Sequence, residues 1–285
     1  MGLDYWHREL RCHIIMKIYH YTTIESLALI LKNKTLLFNR LDCVDDIEEG
    51  SVESLGIEVG KYCFVSCWTE SSEESIPLWK MYAGNKMGVR IGLEQNMFKT
   101  YDVQNPTVGE KQLFGNMELN IPQEELGKQD YFILPLQSSA KGFFYRKVEY
   151  VDDVMAKTRD AIKIQTESNG QSNASIAFGE IGKYKHKRWA FQNETRFVLT
   201  ILPCNPLLYP GDKVGYYVMT ALAQNKQLGF TRYFMNLADD VVNNIEITLS
   251  PNASEGQQII VDSLISQYAP NAVVKRSSLG HLVKF

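Results

Sequence analysis

The chain has 285 residues, 45% of them hydrophobic and 22% charged, with a formal net charge of -3. A chain this long holds one large or two small domains and buries roughly 75% of its unfolded surface, so it needs no metal or disulfide staple. The charge balance excludes both the global basic field of a nucleic-acid binder and an acidic disordered tail.

Residues 1–15 carry scattered charges and lack the apolar stretch of a signal peptide, so they read as an N-terminal extension. Residues 17–21 predict a strand. Thr22 or Thr23 then caps a helix with apolar residues at 24, 27, 30 and 31, closed by Asn33. Residues 35–40 form a second strand, and the acidic stretch that follows reads as a polar loop. Residues 62–68 predict a buried strand, 69–75 a turn rich in capping groups, and 76–83 a short helix with Pro77 near its start and Gly84 at its end. A strand follows at 88–93. Residues 95–142 read as a variable insertion of loops and short helices.

A strand is expected at 144–151, an amphipathic helix at 154–167, a polar loop at 170–175 and a further helix at 176–187. Residues 194–202 predict a buried strand. The stretch 215–222 is open between strand and helix. Strands follow at 232–237 and 244–249, a helix at 254–268, and a last strand begins at Val273. The whole of 16–285 fits a single α+β domain. No run reaches the roughly 18 apolar residues of a membrane span.

The five cysteines form no CxxC pair and no zinc spacing. Cys63 and Cys67 would share a strand face as buried free thiols, with disulfide or metal as the alternatives. This usage suits a reducing cytoplasm. P-loop, GxGxxG, GxSxG and HExxH motifs are absent. The acidic residues Asp42, Asp45, Asp46, Glu48 and Glu49 lack EF-hand spacing and read as a capping or solvated loop, against a divalent-ion site.

Three clusters carry candidate chemistry. In the first, Tyr19-His20-Tyr21-Thr22, the histidine points away from both tyrosines. It is either a hydrogen-bonded core histidine, a surface one, or an imidazole able to hold a ribose hydroxyl without needing a charge. In the second, Trp79 and Tyr82 share a helix face, as core residues or as a wall on which a flat ring stacks. In the third, Glu194 opens an apolar strand. It either pairs with Arg196, Arg188 or a lysine, or stabilises a developing positive charge. The basic run holding Lys183, Lys185, Lys187 and Arg188 is a solvated helix face or a phosphate or nucleic-acid contact.

The order Y-H-Y-T, F-N-R-L, V-S-C-W-T-E, W-x-x-Y, G-V-x-I-G and W-x-x-x-N-E-x-R resembles a widespread bacterial domain-of-unknown-function family over residues 17–100 and 143–202. More remotely, the chain resembles the histidine–tyrosine–glutamate class of the ADP-ribosyltransferase fold. Tyr21 stands where that class has glycine, and Trp79 where it has serine. The resemblance implies a split, mixed β-sheet flanked by helices, with NAD as substrate and no metal. His20, with Tyr21 and Thr22, would hold the ribose side, and Tyr82 or Trp79 would stack on nicotinamide. Glu194 would be catalytic. It implies an ADP-ribosyltransferase or NAD glycohydrolase of bacterial stress or phage defence. The alternative is a catalytically silent nucleotide- or protein-binding module on the same scaffold.

Overall fold

The computed structural model describes residues 16–84, 88–104, 107–108, 111–112, 117–135, 144–166 and 172–283. The expected extension 1–15 lies outside them. Among the described residues ten strands make one mixed sheet. In chain order they are β1 (Lys17–Thr23), β2 (Thr35–Arg40), β3 (Cys63–Thr69), β4 (Gly88–Glu94), β5 (Phe132–Ile133), β6 (Tyr145–Lys147), β7 (Glu194–Leu202), β8 (Arg232–Asn236), β9 (Glu246–Leu249) and β10 (Val273–Arg276). The main path runs β6-β7-β3-β1-β4-β9-β10, with β5 beside β7. Only the β9–β10 pair is parallel within it.

The sheet forks beside β3. At one end Thr69 pairs with Tyr19 of β1. At the other, Phe64 and Val65 pair with Arg40 and Asn39 of β2, which in turn pairs with β8. Residues 66–68 therefore lie between two diverging branches. Helix α1 (Ile24–Asn33) joins β1 to β2 and so spans the fork. Thr23 caps it by accepting from the Ser26 N–H at 3.2 Å. The left-handed residue that ends it is Lys34 (φ 52°), one beyond the expected Asn33. Ile24, Leu27, Ile30 and Leu31 bury its inner face, on the 3.6-residue period the sequence displays. The C-terminal helix Glu255–Tyr268, closed by a Ser254–Gln257 capping box, packs against α1.

The acidic stretch is more ordered than a solvated loop. It forms a 3-10 turn at Leu41–Cys43 and a short helix α2 (Ile47–Gly50), whose first N–H groups Asp46 accepts. Helix α3 (Ile76–Tyr82) falls where expected, and the open stretch near 215–222 is the helix Val214–Ala223. Within the insertion, Val103, Leu119 and Leu126 join Phe132 and Leu202 in a small satellite core.

Two expected helices are corrected. The helix expected over 154–167 stops at Thr158, and Ile162–Thr166 pairs instead with Ser172–Ile176 as an antiparallel ladder. Most of the 176–187 stretch is likewise non-helical. A 3-10 turn at Phe178–Glu180 leads to the strand Tyr184–His186, which lies parallel to Glu149–Val151. Gly182 breaks any helix there. Its φ is 70°, and a Cβ on it would lie 2.8 Å from the Cys63 sulfur.

Candidate functional site

Asn193 takes a left-handed conformation (φ 42°) and turns the chain directly into β7, so that Glu194 is the first residue of a strand buried throughout. Register then sets its neighbours. Glu194 pairs with Thr69, and Thr69 with Tyr19, so these three share one sheet face. Arg196 lies two residues on, on the same side.

A buried charge cluster occupies that face. Arg196 donates through Nε to Glu194 Oε1 at 2.8 Å, and also pairs with Glu49 of α2. Lys185 Nζ donates to Glu194 Oε2 at 2.8 Å and lies 3.6 Å from Glu49 Oε2. None of the four residues is more than 5% exposed. Lys185 also donates to Gln192 Oε1 at 2.9 Å, and Gln192 Nε2 donates to the Tyr82 hydroxyl at 2.7 Å. That hydroxyl donates in turn to Asp45. A continuous chain of hydrogen bonds thus joins the aromatic ring at the end of α3 to the carboxylate at the start of β7.

Burial alone would raise the Glu194 carboxyl, but Arg196 and Lys185 outweigh it and hold it down at about 2. Burial pushes the Glu49 carboxyl up. For Lys185, the two carboxylates overcome the burial that would lower it, and it stays charged.

The cluster forms part of the lining of a cleft of about 720 Å³ at the fork. His20, Thr22, Tyr82 and Glu194 all line it. Alternation puts His20 on the sheet face opposite Glu194, beside Trp68, with ring centroids 5.2 Å apart. Both reach one cleft because the branches part between them. His20 Nδ1 lies 2.7 Å from the Cys67 carbonyl oxygen, inside the fork. A carbonyl only accepts, so Nδ1 carries the proton. Desolvation lowers the ring's basicity, so it is neutral and Nε2 is an acceptor.

A histidine weakened as a base on folding stabilises the native state fully above its unfolded value of 6.5 and progressively less below it. The stability advantage of the protein over His20→Asn should therefore shrink between pH 7.5 and pH 5.5 in urea denaturation. A constant difference would mean the ring does not titrate this way.

The remaining candidates are placed as follows. Tyr21 touches the cleft but is 5% exposed, accepts from the Ser75 N–H at 2.9 Å and meets Trp79 edge-on. Trp79 is 1% exposed, donates to Glu74 and packs with Tyr21 and Leu78, away from the cleft. Of the two aromatics on α3, Tyr82 is thus the one that lines the cleft.

The basic run is not one solvated helix face: Lys187 and Arg188 are exposed in a 3-10 turn, but Lys183 is half-buried and Lys185 lies on a strand. Lys183 pairs with Glu149 and Glu180, Lys187 with Asp152, Arg188 with Glu48, and Lys185 is buried. The sequence hid Glu49 among five acidic residues, and Lys185 among neighbouring cations. Gly50, next to Glu49, is a local sign of close packing, since a Cβ there would lie 2.9 Å from the Asp42 backbone. Cys63 and Cys67 are free thiols on one strand face, buried and half-buried. Among the described residues no His, Cys, Asp and Glu group suited to a metal ion occurs, and no helix is long and apolar enough to cross a membrane.

Residues 78–197 match the family model DUF2971, described as a protein of unknown function. That span holds the W-x-x-Y, G-V-x-I-G and W-x-x-x-N-E-x-R motifs and supports the domain-of-unknown-function family that the motif order implied. No curated protein and no solved structure matches the chain.

Proposed function

We propose that this member of a domain-of-unknown-function family binds NAD in the cleft at the fork. It would cleave the nicotinamide–ribose bond as an ADP-ribosyltransferase or NAD glycohydrolase, on an ADP-ribosyltransferase-like fold. The observation that carries this reading is that His20, Tyr82 and Glu194, from three distant stretches, line one cleft of about 720 Å³. That volume is within the usual range for a small-molecule site.

Each residue has a role suited to its setting. The Nε2 acceptor of His20 takes a ribose hydroxyl. Tyr82, its hydroxyl fixed by Asp45 and Gln192, offers a ring of set orientation to nicotinamide. When the glycosidic bond breaks, its electron pair leaves with the nicotinamide nitrogen, and positive charge remains on the ribose. The ionised Glu194 opposes that charge. Arg196 engages Oε1 through both Nε and Nη2, whereas Lys185 gives Oε2 a single hydrogen bond, so Oε2 is the oxygen better placed to face the ribose. Water or an acceptor nucleophile then attacks the ribose carbon and gives its proton to solvent. Such chemistry suits a cytoplasmic effector of bacterial stress or phage defence.

A second reading is a catalytically silent module that binds a nucleotide or a protein on the same scaffold. It is favoured by the pairing of two carboxylates with two cations, which weakens the field Glu194 projects. The deciding experiment incubates the protein with NAD and follows nicotinamide release, beside a thermal melt with NAD. Release that depends on Glu194 supports the first reading. A raised melting temperature without release supports the second. No release and no shift would sink NAD as the occupant.

A further inference from the structure

The outer wall of the cleft is built differently from its charged floor. β2 and β8 pair Arg232 with Asn39, Phe234 with Leu37 and Asn236 with Thr35, so these six side chains share one face. The alternate residues Leu36, Phe38 and Met235 point into the core at 2% exposure or less. On the outward face Phe234 is 55% exposed, and Leu29 of α1 is 60% exposed. Both line the same cleft as Glu194. Single exposed apolar residues need no explanation, but two within one concave site, beside a cation, do.

That cation is Arg232. Among the described residues, three cationic side chains line the cleft: Lys185, Arg196 and Arg232. The first two are held by Glu49 and Glu194. No ion pair among the described residues engages Arg232, which is exposed. It stands two residues from Phe234 on the same strand face, about 7 Å along the strand. Asn39, directly opposite Arg232, offers one amide donor group and one acceptor. An aromatic face, a free guanidinium and an amide at this spacing match a base, a phosphate and a sugar or base edge.

We propose that this outer wall binds a nucleoside monophosphate unit, its base stacked on Phe234 and its phosphate held by Arg232. The unit can be a free mononucleotide or one half of a dinucleotide. The inference shares the cleft of the proposed function but does not need its chemistry.

The test is calorimetric titration of the full chain with AMP, adenosine and NAD, on the wild type, Phe234→Ala and Arg232→Ala. Both substitutions are at exposed positions, and a melt confirms that each variant folds. Each should weaken AMP about tenfold or more, the scale of one base–aromatic stack or one charged phosphate contact. Adenosine should bind about tenfold more weakly than AMP to the wild type and equally to Arg232→Ala. If NAD weakens in step with AMP, the unit is half of a dinucleotide. If AMP alone weakens, the site takes a free mononucleotide. AMP that binds both variants as it binds the wild type, or does not bind at millimolar concentration, overturns the inference.

Nicotinamide release, measured on the same proteins, separates this inference from the proposed function. Release with an unchanged KM in both variants, beside no AMP binding, leaves the function standing and this inference fallen. AMP binding that needs both residues, with no release by any protein, does the reverse.

Discussion

Arg196→Leu should lower the unfolding free energy by about 3–5 kcal/mol, the range expected when one partner of a buried ion cluster is removed. Arg196 is fully buried and meets both Glu194 and Glu49. Without it, two carboxylates face Lys185 alone, one at 2.8 Å and one at 3.6 Å. The cost arises from stranding charge in a poorly solvated place, not from losing contact area. Arg196→Leu combined with Glu49→Leu should therefore be less damaging than the single change, because it removes a charge of each sign. Urea denaturation at pH 7.5 measures both. A loss under about 1 kcal/mol for the single variant would mean that water reaches the cluster.

The same experiment has an acid limb. Glu194 falls from an ordinary 4.5 to about 2 on folding, so the stability it contributes is fully present above 4.5. It is lost as pH falls from 4.5 towards 2. That slope should flatten in Arg196→Leu, since the first of the two cations holding the carboxyl down is gone.

Glu194→Gln should reduce nicotinamide release about 100- to 1000-fold, the cost of losing one preorganised group that stabilises transition-state charge. Glutamine keeps the size of the side chain and one acceptor oxygen. The loss should fall on kcat with KM for NAD little changed, because the ribose is uncharged in the ground state. Steady-state kinetics on folded variant checks the split. A fall in affinity with kcat retained would make Glu194 a scaffold for the cleft and not part of its chemistry. Tyr82→Leu provides the contrast, since loss of a stacking wall should raise KM.

Local pattern carried the central strands and their helices. In β1–α1–β2, an apolar period of 3.6 sits between two strands and a threonine cap, and every signal is within reach of its neighbours. β3, α3 and β7 were legible for the same reason. The misreading at 154–167 shows the limit. Val154, Thr158, Ala161 and Ile162 are all buried and fall at helical spacing, yet the chain turns at 159–160 and Ile162–Thr166 finds its partner in Ser172–Ile176. Pairing across a loop leaves no periodic mark in either segment.

The site divides in the same way. Tyr82 and Glu194 each stood at an element end, and His20 within a short aromatic strand, that local pattern could find. Lys185 and Glu49 did not, because only the fold brings α2 under β7 and sets Lys185 against Glu194. Phe234 and Arg232 read as ordinary strand residues, since which strand face borders a cleft is decided by β2 and the fork.

The fork also divides the sheet into parts of unequal cooperativity. β1, β4, β9 and β10 form a run of four strands, with α1 packed against β1 and β4 and the C-terminal helix against α1. β2 and β8 form a two-strand branch with one face towards the cleft, tied to β3 through two register pairs. Two strands with one open face are the kind of unit that opens on its own. Amide exchange should therefore be faster in β8 than in β4 while the cleft is empty. A ligand that touches both branches would slow β8 selectively, so occupancy of the cleft would read out as protection 30 residues or more downstream of Glu194 in the chain.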